Sequence, residues 1–311
     1  MKHIFIVNPA SGKENATSRI QSQIDASKYK DQCECYITTG VGDATRFIKS
    51  YCKAHTEPVR FYACGGDGTL SEAANATAQF PYAALGCFPC GSGNDFVKYY
   101  GGSAPFLNLN ALIEGDELPI DLIRVGDKFA INATHFGFDS SVAQTICDIR
   151  RKPIIGGKHA YPSAVIKGLF TARKHICSVE ADGEIINPKG TLLLCTIANG
   201  QYVGGSYRCA PRSRNDDGWL DVCLIDPISL LMFFKVFSHY KDGSHLSNPD
   251  YRSFIHFKRA KTIHVKATPG FVYAMDGEPI KASEFTVQIA PHATRFIVPQ
   301  GARPISPIPE A

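Results

Sequence analysis

Ala63-Cys64-Gly65-Gly66-Asp67-Gly68-Thr69-Leu70-Ser71-Glu72 follows an apolar run that begins at Val59 and precedes an Ala-rich segment. The run reads as a buried strand and the Ala-rich segment as a helix. Three glycines surround one carboxylate at the junction. Glycine lets the backbone approach a ligand closely and adopt positive φ. The helix start that follows offers unpaired N–H groups to an anion. One reading is a phosphate cradle whose carboxylate manages a metal or a charge. The plain alternative is a tight turn between strand and helix, and the rest of the chain has to decide.

Two further stretches have the same character. Asn8-Pro9-Ala10-Ser11-Gly12-Lys13 follows a strand over residues 2–7 and precedes a helix reaching about Ala26. It is not a Walker A loop, which requires glycine at Val7 and Ser or Thr at Glu14. Pro89-Cys90-Gly91-Ser92-Gly93-Asn94-Asp95-Phe96 follows a strand over Ala83 to Phe88 and opens a short helix, Asn94 to Tyr100. A dinucleotide fingerprint from Gly66 and Gly68 fails as well, because its third glycine falls on Ser71. An N-cap at Asn94 or Asp95 explains part of the third loop. It does not explain three such loops on three strands, and that recurrence points to a nucleotide-phosphate site.

The intervening segments fit the same scheme. Cys33 to Thr38 alternates like a strand, Asp43 is placed to N-cap a helix through Lys53, and Leu70 to Ala78 forms another helix. Strands alternating with helices at this spacing predict a mostly parallel α/β sheet. Ligands of such sheets gather at the carboxyl ends of the strands. The texture changes after Leu118-Pro119-Ile120-Asp121. Short strands are expected at Leu122–Val125, Lys128–Thr134, Ser178–Asp182, Thr191–Ala198, Leu220–Leu224, Thr262–Ala267, Phe271–Met275 and Phe285–Ile289. Helical inserts are expected at Ala160–Arg173 and Ser229–Tyr240. The predicted division is an α/β domain over 1–122 and a β-rich domain with helical inserts over 123–295, with the tail, 296–311, packing back on the first.

Composition limits the function. The chain has 311 residues, of which 44% are hydrophobic, and 33 basic against 29 acidic residues give +4. That mild charge argues against a nucleic-acid partner, which calls for a clustered basic face. No apolar run reaches the ~18 residues of a spanning helix. Met1 to Asn8 reads as a first strand and not a signal peptide, so a cytoplasmic location is expected. Eleven cysteines are scattered. Cys33-x-Cys35 and Cys87-x-x-Cys90 lack the matching second pair of a zinc site, so free, buried thiols in a reducing compartment are the expectation.

Taken in order, the motifs resemble the diacylglycerol kinase catalytic-domain family, which includes bacterial soluble lipid kinases and the sphingosine and ceramide kinases. They are Asn8-Pro9-x-Ser11-Gly12, Gly65-Gly66-Asp67-Gly68-Thr69-Leu70-x-Glu72 and Gly91-Ser92-Gly93-Asn94-Asp95. The series continues at Ile120-Asp121, Asn132-x-x-x-x-Gly137-Phe138-Asp139, Asp216-Asp217-Gly218 and Met275-Asp276-Gly277-Glu278. The resemblance spans nearly the whole chain. It implies an NAD kinase- and phosphofructokinase-like first domain, a β-rich sandwich second domain, and ATP and lipid meeting between them.

The resemblance also implies roles. Asn8, Pro9, Ala10, Ser11, Gly12, Thr38, Gly66, Asp67, Gly68, Thr69, Leu70, Ser71, Glu72, Ser92 and Asn94 would bind ATP. Ser92 stands where the family usually has Thr. Asp67, Asn94, Asp95 and Asp121 would surround a catalytic Mg²⁺. Arg214, Asp217 and Trp219 match a structural cation site, with Asp217 ligating by side chain and the others by carbonyl. Glu278 would be the general base that takes the proton of the lipid hydroxyl. Diacylglycerol is the expected acceptor, at a transient contact with a membrane surface, and a homodimer is compatible with the resemblance.

Several readings stay open. A NAD kinase shares the Gly-Gly-Asp-Gly-Thr loop, but its third motif carries an Asn-Glu pair. A nucleotide- or lipid-binding regulator without turnover is a third reading. His135 reads as a core or surface histidine. The basic stretch Arg150-Arg151-Lys152, with Lys158 and Arg173-Lys174, reads equally as a solvated face or a contact for anionic lipid. Leu230 to Phe237 is too apolar for a free surface helix, so it is either core or a lipid-facing surface.

Overall fold

The computed structural model describes residues 1–12, 16–138, 140–141, 144, 174–205 and 207–308. The first half alternates as expected: β1 (Lys2–Val7), α1 (Ala16–Asp25), β2 (Cys33–Ile37), α2 (Asp43–Ala54), β3 (Val59–Gly65), α3 (Asp67–Thr77), β4 (Ala83–Pro89), α4 (Asp95–Lys98), α5 (Leu109–Ile113) and β5 (Asp116–Val125). β1 pairs in parallel with β2 and β3, and β3 with β4. Every residue of β4 is buried, as is all of β1 after Lys2. Parallel strands covered on both faces have this continuous apolar character.

The second half comprises β6 (Lys128–Ala130), β7 (Ala133–Gly137), β8 (His175–Ala181), β9 (Glu184–Ile185), β10 (Thr191–Leu192), β11 (Leu194–Ala198), β12 (Leu220–Ile225), α6 (Leu230–Asp242), β13 (Ile255–Ala260), β14 (Thr262–Ala267), β15 (Val272–Met275), β16 (Glu278–Lys281) and β17 (Glu284–Val298). A six-stranded antiparallel sheet runs β13-β12-β11-β7-β15-β16. It packs on β8, β14 and the first part of β17, and one core holds Phe136, Ile197, Val222, Val179, Val265 and Val287. This is the β sandwich. A further core lies between the six-stranded sheet and α6.

The two halves share a sheet. β17 pairs antiparallel with β14 through its first residues and parallel with β4 at Arg295 and Phe296. A register shift between Ala290 and Thr294, with His292 at φ 49°, bends it from one half to the other. The expected boundary at Leu122 falls inside β5, and β17 extends well past the expected Phe285–Ile289. In the tail, Arg303 and Ile305 donate backbone N–H bonds to Tyr100 and Tyr99 of the first half, while Ile308 N–H donates to Pro211 and the Ser306 carbonyl accepts from Arg208 of the second.

Other expectations change in detail. Lys128–Thr134 is two strands, because the Asp276 carboxylate captures the N–H groups of Ile131, Asn132 and Ala133 at the break. Thr191–Ala198 also splits, at Leu193. Asp43 is not the N-cap of α2. Gly42 holds that position in the left-handed region, and Asp43 accepts from the Thr39 N–H and hydroxyl. The Ala160–Arg173 helix and the basic residues 150–152, 158 and 173 lie outside the described residues. No described helix is long and apolar enough to cross a membrane.

Candidate active site

The three glycine-rich loops meet at the carboxyl ends of β1, β3 and β4. Asn8 N–H donates to the Cys64 carbonyl, its Nδ2 to Thr69 Oγ1 at 3.1 Å, and its Oδ1 accepts from Ala10 N–H. The N–H groups of Cys90 and Gly91 both reach the Gly65 carbonyl, at 2.8 and 3.2 Å. Glycine is required where loops touch. A Cβ on Gly12 (φ 81°) would lie 2.5 Å from the Cys90 oxygen, and one on Gly91 2.5 Å from the Gly66 Cα. A cavity of ≈ 600 Å³ lies between the first and third loops, lined by Ser11, Gly12, Arg19, Cys90, Gly91 and Ser92 among others.

The residues expected to bind nucleotide divide into two groups. Ser11, Gly12 and Ser92 line that cavity. Others hold the loops: Thr38 Oγ1 donates to the Val7 carbonyl, Glu72 Oε1 accepts from Gly42 N–H at 2.8 Å, and Ser71 bonds Asp276. Asn94 sits at φ 50° and donates Nδ2 to the Gly91 carbonyl.

Asp67 opens α3, and its Oδ1 accepts from the Asp95 N–H at 2.7 Å. Burial first, and the neighbouring Asp95 charge second, push its carboxyl up to about 6. Asp95 in turn accepts from Lys98 Nζ at 2.6 Å and from Gly205 N–H at 3.0 and 3.1 Å, while Lys98 also donates to the Gly205 carbonyl. Asp95 and Lys98 thus clasp a loop of the second half. Asp95 is paired with Lys98, so within this pair Asp67 is the carboxylate without an ion-pair partner, and it is the group that would face a Mg²⁺ bound here.

Asp121 does not join this pair. It is fully buried, and its Oδ1 accepts from His292 N–H at 2.8 Å and its Oδ2 from Gly218 N–H at 2.7 Å. The expected catalytic carboxylate is a strut that ties β5 to β17 and to the 216–219 loop.

A second cavity, of ≈ 530 Å³, begins beside Asp67 and Asp95. Its mouth includes Ser92, Asn132, Asp276 and Glu278, and its depth is apolar, with Phe138, Leu193, Leu194, Ile225, Phe233, Val236 and Phe237. Ser92 lines both cavities, so the Gly91–Gly93 loop separates them. Glu278 is exposed and begins β16, directly after the two-residue turn Asp276-Gly277, whose φ values are 46° and 87°. Positive φ at both residues is what a tight hairpin demands. The half-buried Asp276 carboxylate accepts from Ile131, Asn132 and Ala133 N–H at 2.9, 3.0 and 3.1 Å. Burial raises its carboxyl despite those bonds. The hairpin that presents Glu278 is therefore bolted to the start of β7.

α6 buries one apolar face and exposes another over Leu230–Phe237. Ser229 caps it, accepting from Met232 N–H. Phe233, Val236, Phe237 and Tyr240 face the cavity, while Leu231 and Phe234 are 71% and 56% exposed. His135 lines the cavity too, and burial lowers its imidazole to about 4.

At the implied structural cation site, the one side-chain ligand, Asp217, is engaged within the protein. Asp217 Oδ1 accepts from Trp219 N–H at 3.1 Å, and its Oδ2 is ion-paired with Arg259. The Arg259 guanidinium also lies 5.7 Å from the Trp219 ring centre and 3.8 Å from the buried Asp221. Arg214 pairs with Asp216. A side-chain cation already stands at Asp217 and would repel a second one. Among the described residues, no three His, Cys, Asp or Glu side chains cluster to hold a metal.

Sequence reasoning missed Arg19, Lys98 and the anchoring role of Asp276, and it placed His135 outside the site. Arg19 and Lys98 sit in helices where a cation is unremarkable. Only the fold brings them to the loops.

Residues 2–125 match the family description "Diacylglycerol kinase catalytic domain", and residues 132–298 match "YegS C-terminal NAD kinase beta sandwich-like domain". The chain is 29% identical over 299 residues to a "Probable lipid kinase YegS-like" of Pseudomonas aeruginosa strain PAO1, covering 94% of this chain and 92% of the relative. The namesake from Klebsiella pneumoniae strain 342 is 30% identical over 269 residues, 85% of each. A diacylglycerol kinase structure from Bacillus anthracis str. Sterne superposes with a TM-score of 0.69 at 18% identity, covering 96% and 97% of the two chains, and shares the fold. On the matched domains, which together span nearly its whole length, the chain belongs to the diacylglycerol kinase catalytic-domain family of lipid kinases.

Proposed function

We propose that this chain transfers the γ-phosphate of ATP to a lipid hydroxyl, with diacylglycerol as acceptor and phosphatidic acid as product. The observation that carries this reading is the pair of cavities meeting at Ser92. One is a cleft between glycine-rich loops with Ser11, Ser92 and Arg19 in its lining, suited to phosphates. The other is a largely apolar cavity whose mouth holds Asp67 and Glu278. A cavity of that lining suits acyl chains and leaves a nicotinamide dinucleotide without polar partners.

The loops at Asn8–Gly12 and Gly66–Thr69 would hold the nucleotide, with Arg19 at its phosphates. Mg²⁺, when bound beside Asp67, neutralises charge on the transferring group. Glu278 takes the proton of the lipid hydroxyl as that oxygen forms its bond to the γ-phosphorus. The bond from phosphorus to the β–γ bridging oxygen breaks, and ADP leaves. Leu231 and Phe234, on the outer face of the helix that walls the cavity, would meet the bilayer from which the acceptor enters.

The test is incubation with γ-labelled ATP, Mg²⁺ and a lipid extract, with NAD offered in parallel and products identified by mass. Labelled phosphatidic acid is expected. Labelled NADP, or tight ATP binding with no phosphorylated product in any lipid class, would overturn the proposal.

A further inference from the structure

A tight turn of the second half bridges Asp95 and the wall of the larger cavity. Val203 and Tyr207 close it with a pair of backbone bonds, Val203 N–H to the Tyr207 carbonyl at 2.9 Å and Tyr207 N–H to the Val203 carbonyl at 3.1 Å. Between them, Gly204 and Gly205 take φ values of 61° and 82°, which glycine adopts without steric cost. Gly205 is held on both sides of its Cα by one helical turn of the first half. Its N–H reaches both Asp95 oxygens, at 3.0 and 3.1 Å, and its carbonyl accepts from Lys98 Nζ at 2.6 Å. The far end of the turn meets α6, where the Tyr207 ring centre lies 5.0 Å from that of Phe237.

Lys98 completes this grip. Its ammonium donates to the Asp95 carboxylate and to the Gly205 carbonyl, both at 2.6 Å. Those two groups are acceptors and cannot bond each other, whereas an ammonium has three donors and serves both. Without it, a carboxylate that is only 11% exposed loses its counter-ion and faces a carbonyl dipole. On its other side, the Asp95 N–H is bound to Asp67 at 2.7 Å. Contacts therefore run without a break from Asp67 through Asp95, Lys98, Gly205 and Tyr207 to Phe237. Lys98 itself lines neither cavity.

We propose that Lys98 is a positioning residue of the transfer reaction: by joining Gly205 to Asp95 it sets the wall of the acceptor cavity relative to Asp67, so that the lipid hydroxyl meets the phosphate donor in register. This rests on reading the cavity as the lipid site. Because Lys98 acts through the turn, its loss falls on the acceptor and spares the nucleotide.

The experiment assays the wild-type chain, Lys98→Ala, Lys98→Arg and Gly205→Ala with ATP and 1,2-diacylglycerol in mixed micelles, well below each melting temperature, and follows backbone hydrogen exchange on the same proteins. Lys98→Ala should lower kcat/KM for the acceptor about tenfold, the worth of one hydrogen bond to a charged group, with KM for ATP unchanged. Lys98→Arg, whose guanidinium also serves two acceptors, should recover most of that loss. Gly205→Ala, strained at φ 82°, should show the same acceptor-selective loss, and the double variant with Lys98→Ala should lose little more than either alone. Exchange at the turn should quicken in Lys98→Ala. Losses shared equally by ATP and acceptor, additive losses in the double variant, or unchanged exchange at the turn would each overturn the proposal. If the wild-type chain phosphorylates no lipid, the lipid-kinase reading fails and takes this role with it, while the exchange result still reports whether Lys98 holds the turn.

Discussion

Asp67 concentrates the electrostatics of the site in one carboxyl. Its pKa is raised from 3.8 to about 6 by burial and by Asp95. A folded pKa above the unfolded one means that folding favours the protonated form. The resulting stability is complete below about pH 4 and is lost as pH rises through 6. Asp67→Asn should therefore flatten the fall in stability between pH 4 and 6. It should also raise the stability of the metal-free protein at pH 7 by about 2 kcal/mol, with partial exposure limiting the gain. Denaturant melts at a series of pH values check this, and an unchanged slope would show that Asp67 titrates normally. The same variant should lose transfer, since the group facing the cation is gone. The residue types of this site were legible in the sequence, because one glycine-rich turn has an ordinary reading but three at the ends of three strands do not. The roles were less so. Asp121 and Asp67 look alike as letters, yet one is spent on two backbone N–H groups and the other opens on the cavity.

The hairpin of β15 and β16 is the element on which the chemistry turns. Asp276 satisfies three successive N–H groups that no sequence pattern announces, and it is the reason Lys128–Thr134 is not one strand. Asp276→Ala leaves those donors buried and unpaired, at a cost of about 3 kcal/mol. Stability and kcat should fall together, while nucleotide affinity stays near the wild-type value. Calorimetry beside a nucleotide titration separates the two. α6 was legible as an apolar helix, but not in its division of labour, since helical periodicity cannot say which apolar face meets a cavity and which meets solvent. Leu231→Ser with Phe234→Ser should weaken sedimentation with lipid vesicles severalfold and leave the melting temperature within 2–3 °C, because both side chains are largely exposed. A large loss of thermal stability would instead show the face to be packed.

At the scale of the whole molecule, the alternating first half and the β-rich second half were legible from periodicity. Their fusion was not. β17 runs through both, and its bend at His292 lies where an expected strand end and tail had been separated by several residues. Asp95, Lys98 and Gly205 fasten the halves at the active-site end, so Lys98→Ala should cost about 2 kcal/mol, seen as a lower denaturation midpoint. Arg259 supplies the positive charge at Asp217. The melting temperature without nucleotide should therefore be insensitive to chelator, whereas Arg259→Met should be destabilised and partly rescued by millimolar Mg²⁺. The central claim is that a base from the second half meets a phosphate held by the first. It is tested most directly by Glu278→Gln, assayed for diacylglycerol phosphorylation and for ATP affinity on the same preparation. The account predicts a fall in kcat of about 10²–10⁴-fold with ATP binding unchanged. Near-wild-type turnover in that variant would contradict it.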